Sequence, residues 1–167
     1  MTIDVGPLVH ADRPAVESLL RATRAFSEDE VDVALEVLDD ALAATSRGDH
    51  EPDYLLVAAR SSGALVGYAA FGPTPDTDRS WDLYWIAVHP DAQGAGAGAA
   101  LVRAVEREIE ARGGRLVAIE TSSREDYTNT RTFYERLGYA EQARLADFYA
   151  PGDDRVVLTR LTRSHKS

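Results

Sequence analysis

Apolar residues recur at the spacing of an α-helix in three stretches of the chain. The stripes are Val16, Leu19, Leu20 and Phe26; Val31, Leu35, Leu38 and Leu42; and Ala97, Leu101, Val105 and Ile109. Asp12 is a candidate N-cap for the first of these helices, and Gly48 ends the second. Gly113 and Gly114 end the third near Arg112.

β-branched and aromatic residues between these helices predict seven strands. The strands are expected at residues 3–9, 54–60, 65–71, 81–88, 116–121, 139–148 and 155–162. A fourth helix, begun by Thr128 or Asp126 and ended by Leu137 and Gly138, precedes the last two strands. The order β-α-α-β-β-β-α-β-α-β-β predicts one mixed α/β sheet with helices on its faces.

Composition limits the class of protein. At 167 residues, 44% of them apolar, the chain is long enough for one domain, which we expect at residues 1–162, before a frayed tail at 163–167. The absence of cysteine excludes disulfides, thiolate metal sites and cysteine nucleophiles. The opening residues do not resemble a signal peptide, and no stretch approaches the ~18 apolar residues of a membrane span. We therefore expect a soluble, cytoplasmic protein without a membrane partner.

The net charge of −10 argues against nucleic acid as a partner, because a phosphate backbone repels such a surface. The charge is also unevenly distributed along the chain. Between Ser27 and Asp53 ten acidic residues accompany a single base, Arg47, so this segment carries −9 and the other 140 residues carry −1. We call residues 27–53 the acidic segment.

The segment from Val88 to Gly98 joins a predicted strand to a predicted helix through a run of glycine and alanine. Small residues let the backbone approach a ligand, and the N–H groups of a helix's first turn attract an anion such as a pyrophosphate. Gly94, Gly96 and Gly98 also cost helix stability, which favours a ligand loop over a plain flexible turn. A Walker loop is excluded, because no Gly-Lys-Ser/Thr follows.

The same loop satisfies the dinucleotide fingerprint G-x-G-x-x-A through Gly94, Gly96 and Ala99. Glu120 ends the next strand, where a ribose-binding acid would lie. Five residues separate the preceding strand from the first glycine, however, whereas that motif has a tight turn. Fewer than 50 residues follow Glu120, too few for the second half of a doubly wound sheet, so the dinucleotide interpretation is the weaker one.

Read as Gln93-x-x-Gly96-x-Gly98, the loop resembles the acyl-CoA signature Q/R-x-x-G-x-G/A of the GNAT family of N-acetyltransferases. Residues 83–88, followed by His89 and Pro90, are similar to that family's fourth strand, and the sequence FYERLGY at 133–139 resembles its last helix end. The resemblance covers residues 3–161. It implies a single-domain α/β fold, with a mixed, mostly antiparallel sheet and helices on both faces.

The resemblance also implies acetyl-CoA as cosubstrate, and the spacing of the four histidines offers no metal cluster. The pyrophosphate would be held mainly by backbone N–H groups of the loop, which comprises Gln93, Gly94, Ala95, Gly96, Ala97, Gly98 and Ala99. The family's fourth strand is splayed by a bulge, so that main-chain groups of Ile86, Ala87 and Val88 would face the pantetheine and the thioester. The N–H of Val88 is the expected donor to the thioester carbonyl.

Tyr134 matches the tyrosine with which the family commonly protonates the leaving thiolate. Tyr127 stands seven residues earlier, where family members often carry an asparagine that contacts the pantetheine arm, and its ring is the candidate contact instead. Asp82, six residues before Val88, matches the carboxylate that deprotonates the amine in histone-type relatives. Glu120 is the rival base, and some members use only water and backbone carbonyls.

These residues imply transfer of an acetyl group to a primary amine of a small molecule or peptide, by direct attack in a ternary complex. The alternative is a catalytically weak or inactive acyl-CoA-binding regulatory module of the same fold. The sequence leaves open the acceptor, the acyl chain and the choice between monomer and homodimer. In this family the first two helices form one wall of the acceptor site. The acidic segment is therefore either a solvated helix face or a field that attracts a cationic amine.

Overall fold

Seven strands form one sheet in the computed structural model, which describes residues 1–163. They are β1 (Asp4–Gly6), β2 (Leu55–Ser61), β3 (Ala64–Pro73), β4 (Ser80–Val88), β5 (Leu116–Ser122), β6 (Ala140–Ala150) and β7 (Asp153–Leu161). The order across the sheet is β1-β2-β3-β4-β5-β7-β6. β4 and β5 run parallel, and every other neighbouring pair is antiparallel. The predicted fold class is confirmed.

Four α-helices of this part of the chain pack against the sheet, close to where the sequence predicts them. They are α1 (Arg13–Ala22), α2 (Glu28–Arg47), α3 (Ala97–Ala111) and α4 (Thr128–Arg136). A capping box starts α2: the Ser27 hydroxyl accepts the Glu30 N–H, and the Glu30 carboxylate accepts the Ser27 N–H. Gly48 ends this helix in the left-handed conformation, with φ of 71°.

Two expectations about chain ends and caps differ from the structure. The first strand spans Asp4–Gly6 rather than residues 3–9, since Pro7 has no N–H to continue the ladder. Asp12 does occupy the N-cap position of α1, but its carboxylate binds the Arg60 guanidinium at 2.6 and 2.9 Å instead of a helix N–H. That contact lowers the pKa of Asp12 and ties α1 to β2. The expected frayed tail falls mostly on residues 164–167, which lie outside the described residues.

Hydrophobic side chains pack on both faces of the sheet. The α3-side cluster includes Leu101, Val105 and Ile109 of α3, Tyr134 of α4, and Phe71, Val117, Ile119 and Val156 of the strands. The α1/α2-side cluster includes Val16 and Leu20 of α1, Leu35, Leu38 and Leu42 of α2, and Ala58, Tyr68 and Ala87 of the strands. Among the described residues, no member of β5, β6 or β7 joins the second cluster. The α1/α2 face of these three strands is therefore left open.

No helix within residues 1–163 is long and apolar enough to cross a membrane. The same residues contain no group of three or more histidine, aspartate or glutamate side chains arranged to hold a metal ion.

Candidate active site

The candidate site is a cleft between β4 and β5. The two strands pair at residues 80–82 of β4 and 116–118 of β5. Beyond these residues they separate, although β4 stays paired with β3 up to Val88 and β5 stays paired with β7 up to Ser122. The separation opens a passage between the two faces of the sheet.

A β-bulge in β4 lies at the start of this cleft. The register between β3 and β4 shifts by one residue there, which leaves Tyr84 as the extra residue. As a result, Leu83 joins the α3-side cluster, whereas Trp85, two residues later, packs in the α1/α2-side cluster. The bulge that the resemblance implies for the fourth strand is thus placed at Tyr84.

Beyond the bulge, β4 presents backbone N–H groups to the cleft. The His89 N–H donates to the Val66 carbonyl at 2.7 Å, and hydrogen bonds in an antiparallel ladder alternate in direction from residue to residue. The N–H groups of Ile86 and Val88 therefore point away from β3, towards the cleft, while that of Ala87 points towards β3. Of the three strand residues expected at the thioester, Ile86 and Val88 therefore present an N–H donor to the cleft.

The N-terminus of α3 carries no capping side chain. Its N-cap is Gly96, in the left-handed conformation with φ of 86°. Within residues 1–163 the N–H groups of Gly94, Gly96, Ala97, Gly98 and Ala99 make no hydrogen bond of normal geometry. Unpaired donors at the start of a helix of 15 residues, together with the helix dipole, form a binding site for an anion.

The space beside these amides is open to a ligand. A Cβ atom placed on Gly94 or Gly96 would have no atom within 4 Å. At Gly98 the same atom would lie 3.2 Å from the Phe133 ring of α4, so this glycine also allows α3 and α4 to pack closely. Free donors, the helix dipole and open space fit the pyrophosphate of coenzyme A.

The other two predicted loop residues form the turn before α3. The Ala95 N–H donates to the Ala92 carbonyl at 3.3 Å, and the Gln93 N–H donates to the Pro90 carbonyl at 3.3 Å. The Gln93 side-chain amide reaches back to the Val88 carbonyl at 3.4 Å. These bonds fix the loop against the end of β4.

Tyr134 lies on the same side of the sheet as the α3 loop. Its side chain is 3% exposed and belongs to the α3-side cluster. The Phe133 and Tyr139 rings meet its ring edge to face, with centroids 5.1 and 5.9 Å away. Its hydroxyl makes no hydrogen bond within residues 1–163, and burial raises the pKa of Tyr134. The group therefore carries its proton at neutral pH, as a proton donor must.

Tyr127 occupies the N-cap position of α4, so neither Asp126 nor Thr128 caps this helix as expected. The Tyr127 ring is half-buried, and the Arg124 guanidinium lies 5.1 Å from its centroid. The Thr128 hydroxyl instead donates to the Glu125 carbonyl at 2.7 Å. Tyr127 thus stands at the end of the cleft where β5 leads into α4.

Asp82 is the last β4 residue paired with β5. Its neighbours Trp81 and Leu83 are in the α3-side cluster, so the carboxylate points to the opposite face. It accepts hydrogen bonds from the Thr74 hydroxyl at 2.7 Å and from the Tyr84 hydroxyl at 3.4 Å. Burial, followed by the charge of Asp82, raises the pKa of Tyr84 to about 12.

Glu120 points to the same face as Asp82, because its neighbour Ile119 packs in the α3-side cluster. The Arg155 guanidinium of β7 donates to the Glu120 carboxylate. That guanidinium also lies 5.2 Å from the centroid of the Phe148 ring. Glu120 is therefore held by a cation, whereas Asp82 is held by two hydroxyl groups.

The cleft thus separates two sets of groups. The uncapped start of α3 and the Tyr134 side chain lie on the α3 side, and the Asp82 and Glu120 carboxylates lie on the α1/α2 side. A thioester entering from the α3 side would meet, within the cleft, an amine entering from the other.

Sequence reasoning missed three residues that shape this site. Tyr84 is the bulge residue, Arg155 binds Glu120, and Arg131 ties β5 to α4 by donating to the Ser122 carbonyl at 2.7 Å. Each depends on strand register or on a contact between distant segments. No local pattern in the sequence marks them.

The sequence model of the acetyltransferase (GNAT) family matches residues 15–139. The chain therefore belongs to the GNAT family. An acetyltransferase of Yersinia enterocolitica is 37% identical over 94 residues, which cover 56% of this chain and 62% of that protein. The chain thus matches less than two thirds of the length of this relative.

Solved structures share the whole fold. A protein of Desulfovibrio desulfuricans assigned to the GNAT acetyltransferases is 36% identical, with a TM-score of 0.89 over 96% of this chain and 99% of that one. An aminoglycoside 6'-N-acetyltransferase complexed with coenzyme A superposes over 100% of both chains with a TM-score of 0.75. Its identity of 19% limits that likeness to the fold.

Proposed function

We propose that this protein transfers the acetyl group of acetyl-CoA to a primary amine of a small molecule or peptide. The observation that carries the proposal is the β4–β5 cleft, with a protonated tyrosine and an anion-binding helix start on one side and two carboxylates on the other. This arrangement allows direct attack in a ternary complex. No acyl-enzyme intermediate is needed, and the chain has no cysteine to form one.

Acetyl-CoA supplies the activated acyl group as cosubstrate. The N–H groups of Gly94 to Ala99 that lack acceptors would bind its pyrophosphate. The N–H groups of Ile86 and Val88 would donate to the thioester carbonyl, where negative charge develops as the amine attacks. The Tyr127 ring would cover the pantetheine arm.

The chain's side chains move two protons. A carboxylate, Asp82 or Glu120, takes a proton from the acceptor ammonium, directly or through water. The amine nitrogen then forms its bond to the carbonyl carbon as the carbon–sulfur bond breaks. The nitrogen releases its second proton to solvent, while Tyr134 gives its proton to the departing thiolate and regains one from solvent, so the products are the N-acetyl amine and the free thiol.

Asp82 is the stronger candidate of the two carboxylates for the base. Glu120 is paired with Arg155, so a guanidinium already occupies one oxygen of the carboxylate that an incoming ammonium would approach. The partners of Asp82 are hydroxyl groups of Thr74 and Tyr84, which a nearby water can replace.

The acceptor that fits the α1/α2 side of the cleft is a cationic amine. A surface depression of about 190 Å³ lies between the end of α2 and the start of β2, lined by Asp40, Ala43, Ala44, Arg47, Asp49, Glu51, Pro52, Asp53 and Tyr54. The Tyr54 ring meets the Tyr84 ring with centroids 5.4 Å apart, and the Tyr84 hydroxyl reaches Asp82. Acidic groups therefore continue from the acidic segment to the cleft.

A free-thiol assay with a panel of amines tests the proposal. Protein, acetyl-CoA and single acceptors are mixed, and CoA thiol release is followed above the background of hydrolysis. We expect turnover with at least one acceptor class, and faster turnover with polyamines or basic peptides than with amines that also carry a carboxylate.

The competing function is a regulatory module that binds acyl-CoA without turning it over. The departure at Tyr127 from the family's usual asparagine favours it. Tight CoA binding, measured by calorimetry, together with no thiol release from any member of the panel would select this module and exclude the enzyme.

A further inference from the structure

A cavity of about 310 Å³ lies between α3, the start of β5 and the end of β7. It is larger than the depression of about 190 Å³ beside the acidic segment, and its volume falls within the range of about 300–1,000 Å³ that is usual for small-molecule sites. Val117 of β5 and Thr162, which follows β7, line it together with one face of α3. We call it the α3 cavity.

The α3 cavity is separate from the β4–β5 cleft. The cleft opens beyond Ala118, towards the carboxyl end of β5, whereas Val117 of the cavity lies at the start of that strand. Along α3, eight residues separate Ala99 of the proposed pyrophosphate loop from Arg107 of the cavity, a distance of about 12 Å. The two sites therefore lie at different levels of the same helix.

The charge of the α3 cavity is opposite in sign to that of the chain. Its charged lining residues are Arg103, Arg107, Arg160, Arg163, Glu106 and Glu110. Four guanidinium groups against two carboxylates leave a charge of +2, in a chain whose net charge is −10. A concave lining with such an excess attracts anions.

The Glu106 carboxylate is already occupied by contacts within the chain. It accepts hydrogen bonds from Arg103 Nη1 at 2.8 and 3.1 Å, from Arg160 Nη1 at 2.9 Å and from the Tyr139 hydroxyl at 3.0 Å. The same two Nη1 groups donate to the Leu137 carbonyl, at 3.3 and 2.9 Å. These contacts hold both guanidinium groups in fixed positions at the cavity.

Other guanidinium nitrogens of the cavity have no acceptor within residues 1–163. Arg103 and Arg160 donate only through Nη1, so Nε and Nη2 of each are left over. Arg107, one helical turn after Arg103, makes no hydrogen bond or ion pair in this part of the chain. The Arg160 side chain is only 15% exposed, and donors that water reaches poorly gain most from a bound acceptor.

We propose that the α3 cavity binds a small molecule that carries a phosphate monoester. Arg103, Arg107 and Arg160 together with the Glu106 carboxylate carry +2, which matches the charge of about −1.5 to −2 of a phosphate monoester at neutral pH. Three guanidinium groups also suit its three terminal oxygens, because each planar guanidinium donates hydrogen bonds in pairs. A carboxylate, with two oxygens and a single charge, would satisfy fewer of these donors.

Calorimetry of the full chain tests the proposal, with phenyl phosphate and glycerol phosphate as monoester probes and succinate as the carboxylate probe. We expect saturable binding of at least one monoester, about tenfold tighter than that of succinate or inorganic phosphate. Repeating the titration with excess CoA should leave the dissociation constant unchanged. Displacement of the monoester by CoA would assign the binding to the β4–β5 cleft and overturn the proposal.

Arg107→Gln identifies the site at the level of one residue. Because Arg107 has no partner within residues 1–163, the variant should keep the wild-type melting temperature, while monoester affinity falls about tenfold. Arg107→Lys keeps the charge but loses the paired donors, so it should weaken binding less. The matched control is Arg24→Gln, which removes an exposed guanidinium, also without a partner in the described residues, from the loop after α1 and should bind as wild type does.

Three results would overturn the proposal. They are the absence of saturable binding for both monoesters, succinate or inorganic phosphate binding as tightly as the monoesters, and an Arg107→Gln variant that binds them as well as wild type does.

Discussion

The Tyr134 hydroxyl keeps its proton because its surroundings are apolar. Burial raises its pKa above the value of about 10 of an exposed tyrosine. The side chain is therefore a donor over the whole neutral range, and its own ionisation should not reduce the rate below about pH 10. Its ring packing against Phe133 and Tyr139 does not involve the hydroxyl.

Replacing Tyr134 with phenylalanine is expected to lower kcat about a hundredfold, the usual contribution of a positioned general acid. CoA affinity should change less than about threefold, because the proposed hydroxyl role begins only when the thiolate departs. Thiol-release kinetics and calorimetry measure the two quantities.

Tyr68→Phe is the matched control for this substitution. Tyr68 is also fully buried with an unpaired hydroxyl, but it lies in the α1/α2-side cluster. It should keep wild-type kcat. Equal activity of Tyr134→Phe and wild type would remove Tyr134 from the mechanism.

The two candidate bases show what the sequence can say about single residues. Spacing from Val88 picks out Asp82, and the end of a predicted strand picks out Glu120. Their different surroundings come from strand register: Arg155 reaches Glu120 because β5 and β7 pair with Ser122 opposite Arg155. Sequence patterns identify the two carboxylates, but the residues that bind each of them are determined by tertiary contacts.

The two longest helices begin in opposite ways. α2 closes its N-terminus with its own side chains, Ser27 and Glu30. α3 begins at a glycine and leaves its first amides without acceptors. Uncapped donors cost stability unless water or a ligand satisfies them, and the proposed pyrophosphate site gives the open start of α3 such a ligand.

Gly96→Ala tests whether the start of α3 binds CoA. Gly113→Ala, at the other end of the helix, is its matched control. Both glycines have positive φ, 86° and 79°, and a Cβ on either has no atom within 4 Å. Each substitution should therefore cost a similar ~1 kcal/mol of stability from backbone strain. CoA affinity should fall at least tenfold for Gly96→Ala alone, because the new methyl group occupies the space beside the anion site. Similar affinities for the two variants, by calorimetry, would contradict the site.

The helices and strands were largely predictable because their periodicity is local. The stripe from Val31 to Leu42 predicted α2, and the predicted fourth strand contains most of β4. The bulge at Tyr84 was not located by the sequence, since an extra residue shows only against a paired strand. The position of β6 at the edge of the sheet was not predictable from the sequence either. It depends on the crossover that places β7 between β5 and β6.

The charge of the whole molecule is concentrated in the acidic segment. Arg13 binds Asp39, Arg21 binds Glu28, and Arg47 binds Asp49. The first two pairs offset part of the −9 of the acidic segment, in which Arg47 is already counted. Asp40, Glu51 and Asp53 line the depression next to Tyr54, where their field acts on an approaching cation. A solvated helix face explains the acids on the exposed turns of α2, and the proposed cationic acceptor gives a second role to those that line the depression.

Salt should therefore raise KM for a polyamine while leaving KM for a zwitterionic amine nearly unchanged. Screening shortens the reach of the field from about 10 Å at 0.1 M salt to about 3 Å at 1 M, so the cation loses its long-range attraction.

Glu51→Gln should raise the polyamine KM about twofold at low salt. Glu135→Gln, which removes the same charge from the exposed surface of α4, should not. Initial-rate kinetics at several salt concentrations measure these constants. A preference for a neutral or anionic acceptor, insensitive to salt, would assign the acidic segment to solvation alone.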